Sequence, residues 1–287
     1  MTDRPGLGIA LMLAAWFLFS LVDTSVKWLV IAGLPAAQLA FMRYFVHFLI
    51  SAANMLRGGI ARSNFAVQHP FLMSLRAVLL VSGTASNFVV LNYLPLTITS
   101  AIMFFSPILV CLLSWPLLGE RVGPWRWFAI VMGFAGVMVI IRPFGETFSW
   151  WALLPLYNSL ALALYSILTR KLAGKERVET MQFYMGAMGS VILVPFAITQ
   201  WQPPGSGIDW LLFLALGLWG WGGHEMLTRA HGMAPASMLM PFTYSFIIYL
   251  SISSYLVFDH LPGVWTILGA VIIAGSGLLI WARERRL

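Results

Sequence analysis

The sequence predicts an all-α membrane protein of ten transmembrane helices, built as two inverted five-helix repeats. Three observations carry that prediction. The 287 residues are 60% hydrophobic and only 9% charged, with a mean hydropathy of +0.86. Soluble domains are about 45–50% apolar and about 25% charged, so this chain has too few charges to cover a water-facing surface. The lysines and arginines fall almost entirely on alternate connections between apolar runs. The second half of the chain also repeats landmarks of the first at a constant offset.

A membrane-spanning helix needs roughly 20 apolar residues, so ten spans use roughly 200–220 and leave only short loops, with no room for a water-soluble domain. The spans are expected at 6–31, 35–56, 70–92, 96–118, 124–141, 148–169, 180–200, 208–229, 234–257 and 263–281. The first run is too long for the roughly 7–15-residue core of a secretion signal and reads as a span. Turn chemistry marks the breaks: Gly33-Leu34-Pro35, Arg57-Gly58-Gly59, Leu94-Pro95, Gly123-Pro124, Arg142-Pro143, Pro203-Pro204-Gly205, Pro235 and Pro262-Gly263. No run shows the two-residue alternation of a membrane barrel, so the spans read as helices.

An even number of spans puts both ends on one side. With the N-terminus inside, the inner segments hold Arg4, Arg57, Arg62, Arg121, Arg126, Arg170, Lys171, Lys175, Arg177, Arg229, Arg283, Arg285 and Arg286, against Arg142 alone outside. The positive-inside rule then places both termini in the cytoplasm. The net charge of +7 does not indicate nucleic acid, because the basic residues sit in short stretches between apolar runs. One cysteine, Cys111 in an apolar run, excludes an intramolecular disulfide framework and a cysteine-rich metal site. No cofactor is expected.

Laying Glu120 over Asp259 brings Ser106 onto Ser245 and Gly136 onto Gly275. The halves are therefore about 1–143 and 146–287. Five spans is an odd number, so the second half enters the membrane upside down. Inverted repeats let two halves rock about a central site. The stretch Ser106-Pro107-Ile108-Leu109 through Trp115-Pro116-Leu117-Leu118-Gly119-Glu120-Arg121, followed by the Gly133 and Gly136 helix, resembles the end of an EamA domain. That domain is the building block of the drug/metabolite transporter superfamily. The second copy departs from the pattern, with Phe246 where a proline is expected and Val257-Phe258-Asp259 in place of Leu-Gly-Glu. The resemblance implies a ten-helix inner-membrane carrier of small organic metabolites, with a central cavity lined by both halves.

Ionisable groups away from helix ends are costly in lipid and are functional candidates. Here they are Asp23 and Lys27 in the first span, Arg43 and His47 in the second, Arg76 in the third, and His224 and Glu225 in the eighth. Asp23 and Lys27 are four residues apart, a spacing that permits a helical ion pair, and Lys27 is also near enough to the outer end to snorkel. Arg43 and His47 share a helix face. Asp23 and Arg43 each lie eight residues, or roughly 12 Å, from the outer ends of helices joined by a short connection, which predicts an Asp23–Arg43 pair acting as gate, solute anchor or structural clamp. Arg76 and Glu225 lie at similar depths near the inner ends and are expected to be able to pair. His224-Glu225 lacks the second histidine of a zinc peptidase helix, so no metal site is read there. The neighbouring Trp219-Gly220-Trp221-Gly222-Gly223 permits either close helix packing or a local opening of the helix.

Asn87, Asn158 and Tyr244 are polar groups at depth, and Trp16, Trp219, Tyr157 and Tyr165 are deep aromatics; all are candidates for the cavity lining. Aromatic walls with a few polar groups suit a planar or amphipathic solute. Trp125, Trp127, Trp150, Trp151, Trp201, Trp210, Trp265 and Trp281 fall at span ends, as an interfacial belt does. No phosphate-cradling Gly-Lys-Ser/Thr loop is present for a nucleotide motor, and the mixed, sparse charges do not form a channel filter. The reading is a secondary transporter of an amino acid, cofactor-like or aromatic or zwitterionic solute, working by alternating access. Glu225 is a candidate for proton coupling, lipids are the surrounding partner, and the chain is expected to act as a monomer or weak dimer. A membrane-embedded enzyme is the alternative.

Overall fold

The computed structural model describes residues 4–57, 65–103, 105–118, 124–142, 149–234 and 239–284. Among these, regular structure is helical throughout, apart from an isolated Ala173–Glu176 bridge. The helices are α1 (Pro5–Ile31), α2 (Ala36–Arg57), α3 (Pro70–Val90), α4 (Leu96–Met103), α5 (Ser106–Leu118), α6 (Pro124–Ile141), α7 (Leu153–Leu172), α8 (Val178–Thr199), α9 (Gly207–Met233), α10 (Ser245–Phe258) and α11 (Val264–Glu284). Five stretches, within α1, α2, α3, α8 and the segment 150–172, are long and apolar enough to cross a membrane. The fourth span is split between α4 and α5, and a 3-10 stretch at Met240–Tyr244 leads into α10 in the ninth. The two irregularities end at Ser106 and Ser245, the pair aligned by the repeat.

Local sequence explains the helix ends. Proline opens α1, α3 and α6, where a missing backbone N–H costs nothing. Ser206 and Asp209 form a reciprocal capping box at the start of α9. The α1–α2 and α7–α8 hairpins turn at Gly33 (φ 92°) and Gly174 (φ 78°), in the left-handed region that glycine adopts without strain. The turn carrying Gly119, Glu120 and Arg121 lies outside the described residues.

The packing obeys an approximate twofold exchange of the repeats. Pairs that show it are α1 with α9, α2 with α8, α3 with α7, α4 with α10 and α6 with α11. Exchanging the halves turns the α1–α9 contact into α7–α3 and returns each of the other three to itself. Small residues set these contacts. A Cβ on Gly186 would lie 2.8 Å from the Phe48 backbone, and Gly136 and Gly269 meet so closely that a Cβ on either would come within 2.9 Å of the other's carbonyl oxygen. Such approach gains dispersion where no hydrophobic drive operates between lipid-embedded helices.

The polarity is inverted relative to a soluble protein. Val191 is 72% and Leu256 74% exposed on the outside, while Arg76, His231 and Gln38 are at most 1% exposed inside. Buried polar groups in lipid must find partners within the bundle, so the interior network is where function is sought.

Candidate functional site

A cavity of about 70 Å³ lies between the repeats. Its lining comes from α1 (Trp16, Phe19, Asp23), α2 (Arg43), α3 (Gly83, Thr84, Asn87), α4 (Met103), α7 (Asn158, Leu162), α9 (His224) and α10 (Phe246), with apolar neighbours completing the wall. Met103 and Phe246 enter from the two interrupted spans. Phe246 occupies the position where the repeat leads one to expect proline, and its ring lies 5.1 Å from that of Trp16. Trp16 also meets Phe19 edge-on at 5.5 Å. One side of the cavity is therefore aromatic.

The other side is polar. Asn87 Nδ2 donates to both Asp23 oxygens at 3.2 Å. Asn87 Oδ1 and Trp16 Nε1 are buried without a hydrogen-bond partner. Arg43 donates from Nη1 to Thr84 Oγ1 at 2.5 Å and from Nη2 to His224 Nε2 at 3.0 Å. A guanidinium only donates, so His224 Nε2 accepts, and its other nitrogen carries the hydrogen bonded to Tyr165 Oη at 3.1 Å. Arg76 Nη2 donates to that same phenol oxygen at 2.7 Å, and Arg76 Nε donates to Thr169 Oγ1 at 2.8 Å. The guanidinium carbon of Arg76 also lies 4.5 Å from the centre of the Tyr165 ring. This relay leads from the cavity towards the end of the bundle that carries the termini.

Six of the residues singled out in the sequence meet at the cavity: Trp16, Asp23, Arg43, Asn87, Asn158 and His224. His47 is buried just beside it, its ring 6.3 Å from that of His224, and Tyr165 lies in the relay. The others lie elsewhere. Tyr157 is 40% exposed on the outer surface and donates to Ser82 at 2.6 Å. Trp219 packs against the core, and Tyr244 is buried in it. Glu225 lies near the terminal end, bonded by Arg229 Nε at 2.7 Å. Thr84, Phe19 and Met103 do not stand out in the sequence, because a hydroxyl or an apolar side chain in an apolar run carries no signal of its own, and Phe246 stands out only as a departure from the repeat.

One pair that the sequence predicts and two that it permits do not form. Asp23 and Arg43 face one cavity, but among the described residues no ion pair joins them: Asp23 turns to Asn87 and Arg43 to Thr84 and His224. The reason is packing, since α1 lies chiefly against α9 and meets α2 only weakly. Lys27 does not pair with Asp23; Nζ donates to the Leu91 carbonyl oxygen at 2.6 Å, at the open C-terminus of α3. Arg76 does not reach Glu225, because Tyr165 and Thr169 take its donors. The glycine-rich stretch of α9 stays helical. Gly220 lies under the Arg43 side chain, where a Cβ would come 3.0 Å from Nε, and Gly223 receives the Phe19 ring. Close packing is the use these glycines serve.

Each end of the bundle carries a related set of hydrogen bonds between the repeats. At the end away from the termini, Gln38 is fully buried and exchanges two hydrogen bonds with the backbone of Gln202, Nε2 to O at 2.6 Å and Oε1 from N at 2.8 Å. At the terminal end, Glu176 Oε1 accepts from the backbone N–H groups of Gln68 and His69 at 2.8 and 2.7 Å. Gln38 and Glu176 flank the starts of α2 and α8, equivalent helices of the two repeats. Each ties its hairpin to the loop after the second span of the other repeat.

The EamA-like transporter family model matches twice, at residues 6–142 and 149–282. The chain belongs to that family. A riboflavin transporter from Rhizobium johnstonii is 31% identical over 99% of this chain and 94% of its own length. An S-adenosylmethionine uptake transporter from Rickettsia felis is 29% identical over 94% of this chain and 92% of its own. The pseudopaline exporter CntI of Pseudomonas aeruginosa is 28% identical over 93% of each chain. One crystal structure, 20% identical, superposes with a TM-score of 0.70 over 100% of this chain and 99% of that one, a likeness of fold. These matches identify an integral membrane protein of a transporter family whose named relatives move small organic solutes.

Proposed function

We propose that this EamA-family protein is a secondary transporter that carries a small organic metabolite across the bacterial inner membrane by alternating access, with the central cavity as its solute site and both termini in the cytoplasm. The observation that supports this reading is the pair of related ties, Gln38–Gln202 and Glu176–Gln68/His69, which join the repeats at opposite ends of the bundle. A site reached from both sides in turn needs a closure at each end, and inverted repeats supply two.

The solute fits as a body with a flat part against Trp16, Phe19 and Phe246 and charged or polar parts at Asp23 and Arg43. An amphoteric metabolite with a ring has that form. The enzyme alternative finds less support, because His224 has both ring nitrogens engaged by Arg43 and Tyr165 and is not placed to activate a hydroxyl. The test is counterflow in proteoliposomes across a panel of amino acids, flavins and adenosyl compounds. Trans-stimulated uptake of an unmodified solute supports the carrier; chemical conversion of the solute without exchange would overturn it.

A further inference from the structure

A second cavity, of about 340 Å³, opens near the terminal end between α2, α8 and α9. Each helix contributes one face: Ser51 and Asn54, Glu179 and Gln182, and Trp221, Glu225 and Arg229. Its polar floor is buried, with Ser51 3% and Gln182 1% exposed. Gln182 Nε2 donates to Thr228 at 3.2 Å, but Gln182 Oε1 and Ser51 Oγ have no hydrogen-bond partner. The rim is charged: Arg229 is shared between Glu225 at 2.5 Å and Glu179 at 3.4 Å, and Arg177 lies 3.8 Å from Glu179.

An exposed ion pair by itself would mean little. Here the buried floor carries unmet hydrogen-bonding capacity, which is costly unless something fills it. The unmet capacity is chiefly that of acceptors. Two carboxylates have about four lone-pair sites each, and the guanidinium fills only part of them. The composition also repeats that of the central cavity. Asp23, the unpartnered Asn87 Oδ1 and Trp16 in one correspond to Glu225, the unpartnered Gln182 Oε1 and Trp221 in the other. A carboxylate, an amide oxygen and an indole face together suit a protonated amine. Arg76, 1% exposed, lies between the two cavities: it donates to Tyr165, which meets His224 of the central cavity, and to Thr228, which accepts from Gln182 of the other.

We propose that the terminal cavity is a second station for the protonated amine of the transported solute, with Arg76 as the electrostatic barrier between the stations. The station rests on the transport reading above. A cation passes from Asp23 to Glu225 only when the bundle rearranges around Arg76, which resists leakage.

The test uses the full-length protein with Cys111→Ser and one reporter cysteine, at Asn54→Cys for the second station or at Leu162→Cys for the central cavity. Tryptamine is the probe and indole-3-propionate the anionic control, in vesicles of phosphatidylglycerol with or without phosphatidylethanolamine. Tryptamine is expected to slow alkylation at both reporters. Glu225→Gln should weaken protection at Asn54→Cys about tenfold, the effect of losing one charge-assisted hydrogen bond, while leaving Leu162→Cys protected. Gln182→Met should act in the same direction. Equal protection by indole-3-propionate, no protection at Asn54→Cys, or insensitivity to both substitutions overturns the station. Protection by phosphatidylethanolamine without tryptamine would make a lipid headgroup the occupant and overturn the solute assignment. Protection at Asn54→Cys without protection at Leu162→Cys would count against the central solute site and not against the station.

Discussion

Arg43 Nη2 and His224 Nε2 lie 3.0 Å apart, and this hydrogen bond joins the two repeats at the wall of the cavity. Arg43 simultaneously reaches Thr84 through Nη1, so one planar fork fixes α2, α3 and α9 relative to each other. Lysine offers a point charge in place of a fork. Arg43→Lys is therefore expected to lower the counterflow rate about tenfold or more, as for loss of one charged hydrogen bond of about 1.5–3 kcal/mol. Thr84→Val should cost less. Wild-type exchange by Arg43→Lys would show that the fork geometry is dispensable.

The two end ties predict opposite effects. Glu176→Ala removes an acceptor that holds two backbone N–H groups of the α2–α3 connection, and should speed labelling of a cysteine at Leu162 from the terminal side. Gln38→Leu removes both bonds to Gln202 and should speed labelling from the other side. Each loss is worth about 1–3 kcal/mol to its closure. If both variants changed labelling from the same side, the ties would not be separate closures.

The helices, the repeat and six cavity residues were legible in the sequence because each has a strong local signal. Apolar length marks a span, a charge inside an apolar run marks a buried polar site, and the Ser106–Ser245 offset marks the repeat. The pairing of helices was not legible. Consecutive helices joined by a short turn suggest neighbours, yet α1 lies against α9, where Gly222 and Gly223 admit the Leu18 and Phe19 side chains at close range. Glu176 illustrates the same limit. In sequence it is one charge in a basic loop, and only the fold shows that its side chain is 2% exposed beneath His69.

Close packing can be tested at Gly217, where an added Cβ would collide with the Val46 side chain and lie 3.0 Å from the Arg43 carbonyl oxygen. The collision involves a stiff β-branched residue and backbone, so little relaxation is available. Gly217→Ala should destabilise the protein by about 1–3 kcal/mol, read as a lower melting temperature in detergent. Gly263→Ala, with nothing within 4 Å of the added methyl, is the control and should be near neutral. Equal stability of the two variants would remove the packing role.

Topology is tested with cysteines at Lys175 and Gly205 in a Cys111→Ser background. Lys175 is preferred to its neighbour Gly174, whose φ of 78° would strain any side chain. Both positions are exposed, one in the α7–α8 hairpin and the other before α9. In intact cells, Gly205→Cys should react with an impermeant maleimide and Lys175→Cys should react only after permeabilisation. Reaction of both from outside would overturn the inverted arrangement.

The last prediction separates the two carboxylates near the pathway. Glu225 has Arg229 within hydrogen-bond reach, whereas Asp23 faces the cavity with the amide of Asn87 as its hydrogen-bond donor and Lys27 turned away to Leu91. A carboxylate that meets the solute without a cation fixed on it is the better group to exchange a proton for that solute. If transport is driven by a pH gradient, Asp23→Asn should abolish gradient-driven accumulation and keep solute exchange, while Glu225→Gln should retain both with lower apparent affinity. The measurement is uptake into proteoliposomes with and without an imposed pH gradient. Gradient-driven accumulation that survives Asp23→Asn but is lost in Glu225→Gln would transfer the coupling role to the terminal mouth.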